Sequence, residues 1–285
     1  MASLVWGCCR LIGAMPHWLR YYVLQDTIYF IVYKCLRYRV GVVTENLRNS
    51  FPDRPMAEIK RIRRSFYHNL SEIFISTVSQ AAMSDDDCRR RVRVKNLDEV
   101  LSTAHFGCWE YDSFLALYTG EHYLAAVYHP LENKVIDAVY ISLRRRRNIR
   151  LIPMKEIIRY YIDHRLPAGA PGQRIGIGLI ADQNPPLRPN SHWFRFLNQD
   201  TVFFDGIEKM ALKFHMPVYF CRQRRLRRGY YELEFLRLYD GVEQVAPNEV
   251  TERYVRQLES DIVADPGMWL WSHRRWKHRR PQCPS

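Results

Sequence analysis

The block His105-Phe106-Gly107-Cys108-Trp109-Glu110 holds the side chains best suited to chemistry. An imidazole can take a proton from a hydroxyl, and a carboxylate on its other ring nitrogen fixes the tautomer and stabilises the charge that forms. Five positions apart, the two groups do not share a helix face. They can meet if His105 ends a strand, Gly107 allows the turn, and Glu110 enters the first turn of a helix for which 113–118 supplies residues. Such a pair, taken alone, is more often structural than catalytic. Cys108 lies inside the block and reads as a small packing residue rather than a thiol nucleophile. With no GxSxG elbow in the chain, direct attack by a substrate hydroxyl, with His105 as base, fits better than a covalent intermediate.

Two further clusters invite anions or line a site. Arg144 to Arg147 follow an apolar stretch over 135–143, and guanidinium groups give paired hydrogen bonds to phosphate oxygens. A solvated helix end would look the same. Asp182-Gln183 follow an apolar run over 175–181, the carboxyl end of an expected strand, where α/β folds place their sites. Turn formation before Pro185-Pro186 is the structural alternative. The run Trp269 to Lys277 interleaves aromatic and basic residues, which suits nucleic acid or a membrane interface equally.

These residues need a scaffold, and the pattern predicts an α/β fold: a mixed sheet flanked by helices. Apolar runs at 124–128, 175–181, 217–221 and 230–236 read as strands, with helical spacing at 207–214 and 250–262. Asp53, Pro55 and Glu58 start a helix whose Ile59, Ile62, Phe66, Leu70, Ile73 and Thr77 recur at three- and four-residue steps. Residues 167–172 read as a loop. The first 40 residues form a helical, membrane-associated segment and 41–285 the main domain. Within 4–36, Arg10, Arg20, Asp26 and Lys34 interrupt the apolar residues, and Pro16 divides them. Two helices lying in the interface, 2–15 and 18–36, are therefore expected rather than a span of roughly 20 apolar residues.

Composition narrows the partners. The 285 residues carry 43 Lys and Arg against 30 Asp and Glu, a formal +13, which favours anionic lipid, nucleic acid or an acidic protein. Seven cysteines form no CxxC pair and no cluster with zinc spacing, so a reducing compartment, no metal and no cofactor are expected. No cleavage site for a signal peptide follows the apolar start.

In order and spacing these landmarks resemble the bacterial lipid A late-acyltransferase family, within the wider lysophospholipid and glycerolipid acyltransferases that share a His-(x)4-Asp/Glu signature. The likeness runs from Tyr38-Arg39, Asn46-Leu47 and Phe51-Pro52, through 105–110 and 143–146, to 181–185, 196–201, Pro217-Val218 and the closing 271–277. It implies His105 as general base, Glu110 as its orienting partner, and Arg144 and Arg146 holding anionic substrate groups, with Asp182 and Gln183 shaping the site. The implied donor is an acyl thioester on acyl carrier protein. The implied acceptor is a hydroxyl on a phosphorylated disaccharide lipid in the cytoplasmic leaflet of the inner membrane. One departure stands out: only 100–104 lies between Asn96-Leu97 and His105, where the family has a helix and a full apolar strand. A member with the fold but impaired catalysis is the first rival reading. A basic nucleic-acid-binding protein is the second, although no aromatic strand motif or basic recognition helix accompanies the charge.

Overall fold

A computed structural model describes residues 2–96, 101–102, 108–118, 123–128, 133–145, 149–165 and 175–280. His105, Gly107, Arg146 and the expected loop at 167–172 lie outside them. The N-terminal third is helical: α1 (Ala2–Ala14), α2 (Gln25–Tyr29) between π-helical segments Leu19–Leu24 and Phe30–Cys35, α3 (Val40–Ser50), α4 (Met56–Ser79) and α5 (Asp85–Arg91). Strands and helices then alternate. They are β1 (Val92–Val94), β2 (Leu101–Ser102), a 3₁₀ helix (Trp109–Leu117), β3 (Tyr123–Tyr128), α6 (Lys134–Arg145), β4 (Arg150–Pro153), α7 (Ile157–His164) and β5 (Ile175–Gly178). The rest comprises β6 (Trp193–Phe196), β7 (Gln199–Val202), α8 (Gly206–Phe214), β8 (Val218–Arg227), β9 (Tyr230–Tyr239), α9 (Glu249–Ala264) and a 3₁₀ turn (Pro266–Met268).

The fold is mixed α/β, with small sheets. One sheet has the order β1-β9-β8-β2, with β1 and β2 parallel to their neighbours around the antiparallel β8–β9 hairpin. A second, wholly parallel, has the order β4-β3-β5, and β6–β7 is a separate hairpin. Because β2 also lies against β5, the first two sheets follow one another. β2, which ends three residues before His105, thus lies next to β5, which leads towards Asp182. β2 is described over Leu101–Ser102, and the residues on either side of it lie outside the described ones.

Helix α4 is the central post. The spacing read over 59–77 buries Ile59, Ile62, Phe66, Ile73 and Thr77. One face receives the N-terminal helices and another the 3₁₀ turn 266–268, where Asn69 donates to the Met268 carbonyl (3.1 Å). Glu72 is fully buried, an expensive place for a carboxylate unless it is paired. It accepts from the Gly229 amide (2.8 Å), the Tyr231 hydroxyl (2.7 Å) and Arg225 (3.1 Å), which fastens the β8–β9 hairpin to the helix.

The N-terminal segment is part of this packing. Tyr21 and Gln25 are buried, and the Tyr21 hydroxyl reaches Ser76 (3.1 Å) and Tyr111 (3.0 Å). Its ring fills the space above Gly229, where an added Cβ would stand 2.4 Å from Tyr21 Cζ at a φ of +72°. Both strain and overlap oppose a side chain there, so Gly229→Ala should destabilise the protein by about 1–3 kcal/mol, read as a lower denaturation midpoint. An unchanged midpoint would mean that the hairpin tip and Tyr21 do not pack this way. No helix among the described residues is long and apolar enough to cross a membrane.

The closing run 269–277 departs from both surface roles that its composition allowed. Trp269, Trp271 and Arg275 are buried. Arg275 gives one donor to Thr201 Oγ (2.7 Å) and another to the Val202 carbonyl (2.5 Å), with its guanidinium 4.1 Å from the Phe203 ring centroid. A cation so placed is a clamp on β7, and only Arg274 and Lys277 of the run's cations remain exposed.

Candidate active site

The 3₁₀ helix 109–117 sets Glu110 in its first turn, as the spacing required, and three side chains hold that turn. Gln223 of β8 accepts from the Cys108 amide (2.9 Å) and donates back to the Cys108 carbonyl (3.3 Å). Gln80, just beyond α4, donates to the Glu110 carbonyl (3.3 Å), which also accepts from the Ser113 hydroxyl (2.7 Å). Cys108 is fully buried, and burial, with Glu110 nearby, pushes its thiol well above the usual range. It is a packing residue here, since the nucleophile is the thiolate. Thiol labelling of the native protein should mark the exposed Cys8 and Cys35 and spare Cys108 until unfolding. Native modification of the peptide carrying Cys108 would reopen a covalent thiol route.

The Glu110 carboxylate is itself buried and faces Arg144. The arginine donates through Nη2 to Oε1 (2.8 Å) and through Nε to Oε2 (3.2 Å), a bidentate fork. Helix α6 aims it: Val139 and Leu143 pack in one small cluster with Cys9 of α1 and Ala81. Tyr140 and Arg144, one turn apart, lie beside each other, with the guanidinium 5.4 Å from the tyrosine ring centroid. Burial opposes the Arg144 charge, yet Glu110 outweighs it and the arginine pKa rises. Burial and the same carboxylate push Tyr140 up to about 12. Each carboxylate oxygen carries two lone pairs, so Glu110 keeps acceptor capacity for an imidazole besides Arg144.

Asp182 and Gln183 stand on the segment after β5. Asp182 is buried and accepts from Trp269 Nε1 (2.9 Å), while Gln183 is half-buried. Burial lowers Arg275 to about 10, with Asp182 the leading opposing influence. One residue further, the Asn184 amide donates to His273 Nε2 (3.1 Å). These contacts stitch 182–184 to 269–275.

Trp109, Tyr140 and His273 line an open cleft of about 310 Å³, with Leu70, Ile73, Phe74 and Leu270 as its apolar wall. Phe74 is the one exposed position in the 71–77 stretch of α4. Arg39 also lines the cleft, in a left-handed conformation (φ 51°) that a non-glycine residue adopts only when its surroundings impose it. Asn46 donates to the carbonyls of Trp271 and His273 (both 2.9 Å), and Arg39 to that of Ser272 (2.9 Å). A larger cleft, of about 870 Å³, lies between α3 and the start of α4 and contains none of the candidate residues.

The structure therefore brings Glu110, Arg144 and the 182–184 segment to one region. Sequence reasoning missed Gln223, Gln80, Tyr140 and His273 as site neighbours. The tyrosine alone left a local signal, being four residues before Arg144.

The buried Glu110, one residue past a tryptophan that lines an apolar cleft, sits on a mixed α/β scaffold and closes the His-(x)4-Glu spacing by which the sequence resembles acyltransferases. The family model for bacterial lipid A biosynthesis acyltransferases matches residues 1–278, and the chain belongs to that family. No curated protein matches it.

Proposed function

We propose that the protein moves a fatty acyl chain from an acyl carrier protein thioester to a hydroxyl of a lipid A precursor or related membrane lipid. His105 acts as general base. The observation that supports this most directly is the placement of Glu110: its buried carboxylate is held by Arg144 on the turn that follows the histidine, and the adjacent Trp109 lines a cleft with a largely apolar wall. His105 takes the acceptor proton as the hydroxyl oxygen bonds to the thioester carbonyl carbon. The tetrahedral oxyanion then collapses, the C–S bond breaks, and the imidazolium returns the proton to the departing thiolate. Glu110 holds the imidazole and stabilises its charge. Arg146 and the amides near Gly107 are the candidate donors to phosphate or oxyanion, since the Arg144 fork is directed at Glu110.

Attachment to the cytoplasmic face of the inner membrane fits the N-terminal helices. Leu4, Leu11, Trp18, Tyr22, Phe30 and Leu36 are all exposed there. Phe30→Asp together with Leu11→Asp should move the protein from the membrane pellet to the soluble fraction. Unchanged pelleting after a high-salt wash would place the anchor elsewhere. Deleting residues 1–36 is a poorer test, because it strips Tyr21 and Gln25 from the core.

Mass spectrometry of total lipids from cells with and without the protein tests the function itself. A lipid heavier by one acyl group supports it. No change, together with no thioester turnover by purified protein, favours the impaired-member reading.

A further inference from the structure

Where the N-terminal helices meet the tip of the β8–β9 hairpin, two arginines are buried and, among the described residues, neither forms an ion pair. Arg20 is 7% exposed and Arg91 6%. The Arg20 Nε and Nη1 are buried without a hydrogen-bond partner. Arg91 gives Nη1 to the Gly229 carbonyl (3.2 Å) and otherwise lies over rings, 5.4 Å from the Tyr21 centroid and 5.1 Å from that of Tyr230. A third guanidinium, that of the exposed Arg227, covers the Tyr230 ring at 3.9 Å. His17, stacked on Tyr21 at 4.6 Å, uses its Nε2–H on the Arg228 carbonyl (3.1 Å) and offers no negative charge. The acid with influence on both buried arginines, Asp87, is engaged by Arg90 and the Ser84 cap.

Buried charge without an opposite charge is costly, and removing water from two like charges side by side compounds the cost. Burial and Arg91 accordingly depress Arg20, whereas at Arg91 the surrounding tyrosines outweigh burial and raise it. We propose that Arg20, Arg91 and Arg227 form a binding site for the phosphate of an anionic lipid headgroup. Phosphate supplies the charge and several acceptor oxygens, and guanidinium forks match its geometry. The neighbouring side chains point to lipid as its source: Trp18, Tyr22 and Val23 are exposed beside Arg20, the mixture that settles at the level of headgroups. Glu110 is paired with Arg144 rather than with any of these three arginines, and the inference does not depend on acyl transfer.

The test is sedimentation of the full-length protein with phosphatidylcholine vesicles and with vesicles containing phosphatidylglycerol, at fixed salt. The wild type should prefer the anionic vesicles. Arg20→Met and Arg227→Gln should each lose about tenfold or more of that preference, the scale of a lost charge-assisted bond. Arg10→Gln removes the same charge from an exposed position of α1 and should lose markedly less. Equal losses in all three variants would leave only diffuse attraction and overturn the site. If Arg20→Met fails to fold, the exposed Arg227→Gln decides between these outcomes. A rise in Tm with inorganic phosphate, but no preference for anionic vesicles, would assign the site to free phosphate and overturn the lipid headgroup.

Discussion

His105→Ala is expected to leave a folded protein whose acyl transfer falls by about a hundredfold or more, the usual scale of general acid–base assistance. Folding should survive because the turn after the histidine is held independently of it, by Gln223 on Cys108 and by Gln80 and Ser113 on the Glu110 carbonyl. Circular dichroism and Tm check the first half of the expectation, and thioester turnover checks the second. Glu110→Gln should lose less rate but move its pH dependence. Without the carboxylate the protonated imidazole is less stable, so its pKa falls, and the limb on which activity rises with histidine deprotonation shifts to lower pH. Cys108→Ala should retain activity, since the buried thiol offers no thiolate. Full activity in His105→Ala would end the proposed mechanism.

The elements that were legible in the sequence are those whose side chains repeat with one period over many residues. α4, α8 and α9 declared themselves by helical spacing, and β3 and β5 by apolar runs. The three-residue β1 and the four-residue β4, β6 and β7 are too short for a period to register. β8 runs on to Arg227, beyond its apolar run, because its exposed end is stabilised by pairing with β9, whereas β9 runs on to Tyr239 because Leu238 and Tyr239 return to the core. The block at 105–110 was legible as chemistry because its residue types are unusual together. Its supports were not: Gln223 is 115 positions from Cys108, and nothing local distinguishes a glutamine that clasps a distant backbone from one on the surface. The tail misled for a related reason. Alternating tryptophan and arginine looks like an interface in isolation, and only the partners Thr201, Val202 and Phe203 make Arg275 tolerable in the core.

Arg144 is where sequence and geometry point to different tests. A run of four arginines suggests phosphate, whereas the bidentate contact makes Arg144 the partner of Glu110. Removing either member strands the other. Glu110 is only 6% exposed, but the Arg144 side chain keeps 27%, so water softens the loss, and each of Arg144→Ala and Glu110→Gln should cost about 1–3 kcal/mol of stability. Because both changes break one contact, the double variant should cost less than their sum, with a coupling on the order of 1 kcal/mol in a thermal or urea double-mutant cycle. Arg144→Lys keeps the charge without the fork and should fall between wild type and Arg144→Ala. In kinetics the loss should appear in kcat, as Glu110 drifts from the imidazole, and should be equal for phosphorylated and dephosphorylated acceptors. Additive stability losses, with a KM effect confined to the phosphorylated acceptor, would return Arg144 to the substrate and leave Glu110 to be positioned by its backbone contacts alone.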